Sequence, residues 1–121
     1  MRFFQSFVYA WRGLRYIFLH EFNFRVQLMV SFFTLLLTFF LKVRVEEIII
    51  ILLLIALVLL LEILNSALEK LSDILKPRLS EQVEVVKNML AAMVLLASLL
   101  ALGIGLTIFT PYIIELFIKK W

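Results

Sequence analysis

The chain has no cysteine, one histidine, two prolines and three glycines among 121 residues. Without cysteine there can be no disulfide, thiolate metal site or thiol nucleophile. The glycines, Gly13, Gly103 and Gly105, are too few and too scattered to form a GxxxxGK[ST] phosphate loop. A cleavable signal peptide needs a short apolar region followed by small residues, and MRFFQSFVYAWRGLRY offers neither, so the N-terminus is expected to be retained. No internal repeat or low-complexity tract stands out beyond the apolar runs themselves.

Apolar residues are abundant. The chain is 64% hydrophobic with a mean hydropathy of +1.10, where soluble domains hold about 45–50% apolar residues. Three long apolar stretches, Val26 to Leu41, Ile48 to Leu68 and Met89 to Ile114, fit three membrane crossings of roughly 17–25 residues each. The first is short and must borrow a turn from Phe22 to Phe24 or from Val43, or lie in a thinned bilayer.

The cations are distributed unevenly. Arg2, Arg12, Arg15 and Arg25 precede the first stretch, and Lys70, Lys76, Arg78 and Lys87 lie around the second connection. Only Lys42, Arg44, Lys119 and Lys120 fall on the other side. Eight against four puts the N-terminus and the 70–88 loop in the cytosol and the C-terminus outside. Topology therefore accounts for the basicity, and nucleic acid is not an expected partner.

The expected architecture is an all-α membrane protein of one domain, residues 1–121. It has a surface helix over 1–20 and spans over 24–43, 47–72 and 86–118. Phe3, Phe4, Phe7, Val8, Trp11, Leu14, Phe18 and Leu19 recur at roughly helical spacing, with Arg12 and Arg15 between them. That pattern suits a helix lying in the cytosolic interface, although Gly13 weakens its continuity. KVRVEE is short enough to make the first two spans a hairpin. Pro77 should end the second span at or before Lys76, and Ser80 should open the third. Ala97, Ala101 and Gly105 form a small-residue stripe, read here as an ordinary packing face. Trp11, Trp121, Tyr9, Tyr16 and Tyr112 read as interfacial belt residues, and His20 as a boundary anchor.

EILNSALEKLSD follows the apolar run Ile48 to Leu61 without a break signal. At about 100° per residue, Asn65, Ser66, Glu69, Asp73 and Lys76 fall within an arc of roughly 100° that includes Glu62. If hydrocarbon begins near Ile48, Glu62 lies roughly 21 Å along a core of about 30 Å, with Glu69 about 10 Å further. An acidic residue at that depth costs about 2.5–3.5 kcal/mol on insertion scales and marks a function or a polar clamp between helices. In HEFNFRVQ, Glu21 and Arg25 share one helical face, and Glu21 should reach the depth of Glu69. Two carboxylates at that level suit a hard divalent cation such as magnesium. Arg2, Arg15, Arg25, Lys70 and Lys87 are nearby cations suited to phosphate.

These residues resemble the small bacterial integral-membrane lipid kinases, diacylglycerol kinase and undecaprenol kinase. EILNSALEKLSD is similar to the pattern E-[IL]-[IL]-N-[ST]-A-[IL]-E-x-x-x-D, and WRGLR and EFNFR stand before the first span as in that family. The resemblance implies a homotrimer with active sites shared between subunits, using ATP and Mg2+. It implies Glu62 as general base for a lipid hydroxyl and Glu21 and Glu69 as metal ligands. Arg2, Tyr9, Asn65, Asp73 and Lys87 match positions attributed to nucleotide or phosphate contacts. Two positions depart from the family pattern: Asn88 stands where an aspartate is usual, and Ser80 where many members have histidine. Both bear on the nucleotide pocket.

The expected function is ATP-dependent phosphorylation of undecaprenol or diacylglycerol at the cytosolic face of a bacterial inner membrane, with a lean toward undecaprenol. The alternatives are a catalytically impaired member or a non-enzymatic small membrane oligomer. A pore would carry polar residues through the whole depth of a helix, whereas here they occupy the cytosolic half of the second span. A transporter would show a broken helix at mid-membrane.

Overall fold

In the computed structural model, residues 2–75 and 80–120 are described, and they form four α-helices: α1 (Arg2–His20), α2 (Phe22–Phe40), α3 (Val45–Leu75) and α4 (Ser80–Lys120). Three of them are long and apolar enough to cross a membrane: Phe22–Phe40, Val45–Leu75 and, within α4, Glu81–Lys119. The fold is therefore all-helical. α1 runs through Gly13 without interruption. α2 takes its extra turn from Phe22 to Phe24, and Val43 lies beyond its end. Lys76, Pro77 and Arg78, and with them the end of the polar stripe, lie outside the described residues, as does Trp121.

The α2–α3 connection is tight because α2 closes on itself. The Val43 amide donates to the Thr38 oxygen and the Lys42 amide to the Phe39 oxygen, both at 3.3 Å, with Lys42 in the left-handed region (φ 53°). This is the pairing of a Schellman cap, in which glycine usually takes the left-handed position. Val43, next in the chain, is buried with Ile51, Ile108 and Phe109 in a cluster that joins the hairpin to α4.

α4 returns antiparallel to α3 and is tied to it at both ends. At the hairpin end, the Tyr112 hydroxyl donates to the Glu47 carboxylate and accepts the Arg44 amide at 3.1 Å. At the other end, Lys87 Nζ pairs with Asp73 Oδ1 at 2.6 Å. A cavity of about 420 Å3 lies among α2, α3 and α4, and Ser31, Val58, Ser98, Ala101 and Gly105 help to line it. A side-chain carbon added at Gly105 would meet nothing within 4 Å, so the small-residue stripe opens space here and makes no close helix contact.

Little of the apolar surface is covered by the chain itself. In the most apolar window of α2 only 11% of the residues are buried, and in that of α3 17%. These faces are suited to lipid or to other helices, since water leaves apolar surface unfavourably exposed.

Tyr112→Phe deletes the hydroxyl that joins α4 to both Glu47 and Arg44. It should lower stability by about 0.5–1.5 kcal/mol, read as a lower thermal midpoint in detergent. Tyr16→Phe, whose hydroxyl lies at the opposite end, should leave the hairpin end unchanged by hydrogen exchange at Arg44.

Candidate active site

α3 stays helical from Val45 to Leu75 because strong helix formers and apolar residues fill it without a glycine or proline. One continuous helix therefore carries the stripe out of the apolar region with its spacing intact. Glu62 is 4% exposed and, among the described residues, makes no hydrogen bond or ion pair. Ser72 is also buried, Asn65, Ser66 and Glu69 are half-buried, and Asp73 is exposed. Among Glu62, Asn65, Glu69 and Asp73 exposure thus rises toward Asp73, while Ser72 beside it stays buried. The Asn65 side-chain oxygen is buried with no hydrogen-bond partner.

Glu21 comes to the stripe from another element. It is the extended residue between α1 and α2 (φ −113°, ψ 108°), so it shares no helical face with Arg25 as its spacing had implied. The Glu62 carboxyl interacts electrostatically with both Glu21 and Glu69. Three carboxyl groups of like charge therefore gather at one end of the bundle, a grouping that packing alone would disfavour. Among the described residues, no set of three or more His, Cys, Asp or Glu side chains is arranged to hold a metal by itself.

The cations are distributed around this group. Lys87 is paired with Asp73. Lys70 Nζ donates to the Tyr16 hydroxyl and lies 4.1 Å from that ring's centroid, which joins α1 to α3. Tyr16 in turn stacks on His20 with centroids 4.1 Å apart, and His20 Nδ1 lies 2.9 Å from the Tyr16 carbonyl oxygen. Arg25 turns away from the stripe and donates to the Phe18 and Leu19 oxygens of α1.

The sequence-derived residues are thus gathered in part. Glu21 and Glu69 lie within electrostatic range of Glu62, Asp73 is paired with Lys87, and Asn65 is on the same stripe. Asn88 follows Lys87 in α4 and is exposed. Arg2 and Tyr9 occupy the exposed N-terminal half of α1, where Arg12 lies 5.9 Å over the Tyr9 ring. Among the described residues, no hydrogen bond or ion pair joins Arg2 or Tyr9 to the stripe. Composition gave no reason to single out Tyr16 beyond its place in an interfacial belt. Its four-residue spacing from His20 was the available signal.

Glu62 is thus a buried carboxyl on a helix long and apolar enough to cross a membrane, with Glu21, Glu69 and the Asp73–Lys87 pair toward the same end. A family model described as prokaryotic diacylglycerol kinase matches residues 8–109, and the chain belongs to that family. The match covers the stripe, Glu21, Lys87 and the hairpin. Membership implies lipid-kinase activity and, with three apolar helices, a prokaryotic membrane location. Comparisons with curated proteins and with solved structures find no match.

A buried acid without a partner works against folding. Glu62→Leu should therefore raise stability by about 1–3 kcal/mol, measured by thermal or SDS-induced unfolding in detergent, even though it removes the carboxyl.

Proposed function

We propose that the chain transfers the γ-phosphoryl group of ATP to the hydroxyl of a membrane lipid, undecaprenol or diacylglycerol, at the cytosolic face of the inner membrane. The observation that carries this reading is the convergence of Glu62 with Glu21 and Glu69 where α3 passes from its apolar to its polar half. A lipid alcohol can offer its hydroxyl only near the interface, while ATP arrives from water. Glu62 and Glu69 stand about 10 Å apart along the α3 axis, which makes them two stations and not a carboxylate dyad.

At the inner station, Glu62 has no hydrogen bond among the described residues, so its oxygens would be available to accept the lipid O–H. As the lipid oxygen bonds to the γ-phosphorus, the bond from phosphorus to the bridging oxygen of ADP breaks and the hydroxyl proton passes to Glu62. Among the described residues no set of three acidic, histidine or cysteine side chains is arranged to hold a metal. At the outer station, Glu21 and Glu69 would supply two carboxylates. That donor set fits Mg2+, which commonly takes one or two carboxylates and completes its shell with water and phosphate oxygens. Bound there with ATP, the ion would neutralise charge on the phosphates. Lys87, released from Asp73, would face the same phosphates, and Asn65, Asp73, Asn88, Arg2 and Tyr9 would complete the nucleotide site.

The assembly belongs to the same reading. The exposed apolar faces of α2 to α4 call for covering, and a homotrimer with shared sites would bring Arg2 and Tyr9 of one subunit toward the stripe of another. α1 would lie in the cytosolic interface, in keeping with its apolar and basic faces. The lysine and arginine distribution favours a cytosolic N-terminus and an external C-terminus.

A second reading, an impaired member of the family, rests on Asn88, where the family usually has aspartate. Phosphate transfer from ATP with Mg2+ to undecaprenol and, separately, to diacylglycerol tests both readings. Purified protein should turn over on at least one lipid, and Glu62→Gln should lower the rate by about 10²–10⁴-fold. No turnover on either lipid by folded protein, followed by turnover in Asn88→Asp, would favour the impaired member. Equal rates in wild type and Glu62→Gln would remove Glu62 from the chemistry.

A further inference from the structure

A helix end leaves its last carbonyl oxygens without intrahelical partners. At the end of α1 two of them are met by one side chain. The Arg25 guanidinium donates to the Phe18 oxygen at 2.8 Å and to the Leu19 oxygen at 3.0 Å. It also lies 5.9 Å from the Phe22 ring centroid, and the Arg25 amide donates to the Glu21 oxygen at 3.3 Å. Arg25 therefore reaches back from the first turn of α2 and holds the residues on both sides of Glu21. A cation at this end of α1 also complements the helix dipole.

Glu21 gains from this arrangement. As the residue before α2 it occupies the N-cap position, yet its carboxylate makes no capping hydrogen bond. Serine, threonine, aspartate or asparagine is the usual choice there because the side chain closes the helix. The elbow is closed instead by Arg25, acting on the helix before it. A guanidinium engaged with two carbonyl oxygens is withdrawn from the phosphate-binding cations among which its sequence position had put it.

We propose that Arg25 is a positioning residue that acts through Glu21: by clamping the α1–α2 elbow it aims the Glu21 carboxylate at Glu62 and Glu69 and leaves it uncommitted for a divalent cation. The proposal rests on the reading of Glu21 as a cation ligand given above. The planar guanidinium reaches two oxygens from a single fork, which an ammonium does less well. Arg25→Lys should therefore preserve the charge but only part of the clamp.

Two measurements test this, and neither needs turnover. The chain has no native cysteine, so nitroxide labels on Leu14→Cys in α1 and Met29→Cys in α2, both exposed, report the elbow without background. In proteoliposomes, the pulsed EPR distance distribution should be narrow with Arg25, broad in Arg25→Ala and intermediate in Arg25→Lys. On unlabelled protein, Mn2+ alone serves as probe. Arg25→Ala should weaken its binding about tenfold, the scale typical of groups that orient a metal ligand. Glu21→Gln should weaken it as well, and the double variant should bind no worse than Glu21→Gln, because the two side chains act in series. Unchanged Mn2+ affinity in Arg25→Ala alongside a loss in Glu21→Gln would overturn the proposal, as would additive losses in the double variant. Unchanged affinity in Glu21→Gln itself would remove Glu21 as a ligand, and the proposal would fail with the reading beneath it. The Glu21→Gln arm alone tells these failures apart.

Discussion

The structure turns on one constraint: a carboxyl group is placed in a helix that must also cross hydrocarbon. Glu62 is buried, unpaired among the described residues, and in electrostatic contact with two further carboxyls. Nothing in packing favours that arrangement. The proposed function makes sense of it, because there one substrate cannot leave the bilayer and the other cannot enter it. On that reading the unbroken run of α3 from Val45 to Leu75 would act as a ruler between the two phases, from buried Glu62 to exposed Asp73.

The remainder of the fold keeps that ruler in place. Away from the site, the left-handed Lys42, the buried Val43 cluster and the Tyr112 hydroxyl fix the hairpin against α4. At the site end, Lys87 holds α4 to α3 through Asp73, and Lys70 holds α1 to α3 through Tyr16. Arg25, in the first turn of α2, bonds the last carbonyl oxygens of α1. Apart from the apolar Val43 cluster these ties are polar, and a cavity of about 420 Å3 lies among α2, α3 and α4. A chain so sparsely buried is well suited to sharing its surfaces with lipid and with copies of itself.

Much of this was legible in the sequence. The apolar runs gave three long helices, while the helix end expected at Pro77 lies outside the described residues. The 3.6-residue period put Glu62, Asn65, Glu69 and Asp73 on one stripe before any coordinates were needed. The residues around the α1–α2 elbow were harder to read. Helical spacing paired Glu21 with Arg25, but Glu21 is extended and Arg25 is drawn to the carbonyls of α1. Periodicity holds only while the helix continues, and no proline or glycine at Glu21 announced the break. Tyr16 with Lys70, and Tyr112 with Glu47, were equally hidden, because contacts 54 and 65 residues apart leave no local pattern.

The central claim is a division of labour along α3, with the proton handled at Glu62 and the nucleotide and its cation at Glu21 and Glu69. Equilibrium binding of Mn2+ with a non-hydrolysable ATP analogue to Glu62→Gln in proteoliposomes tests it most directly. Binding as tight as in wild type, or tighter through the loss of one negative charge, is the predicted result. Loss of nucleotide and Mn2+ binding in that variant would mean that Glu62 belongs to the cation site, and the two-station account would be wrong.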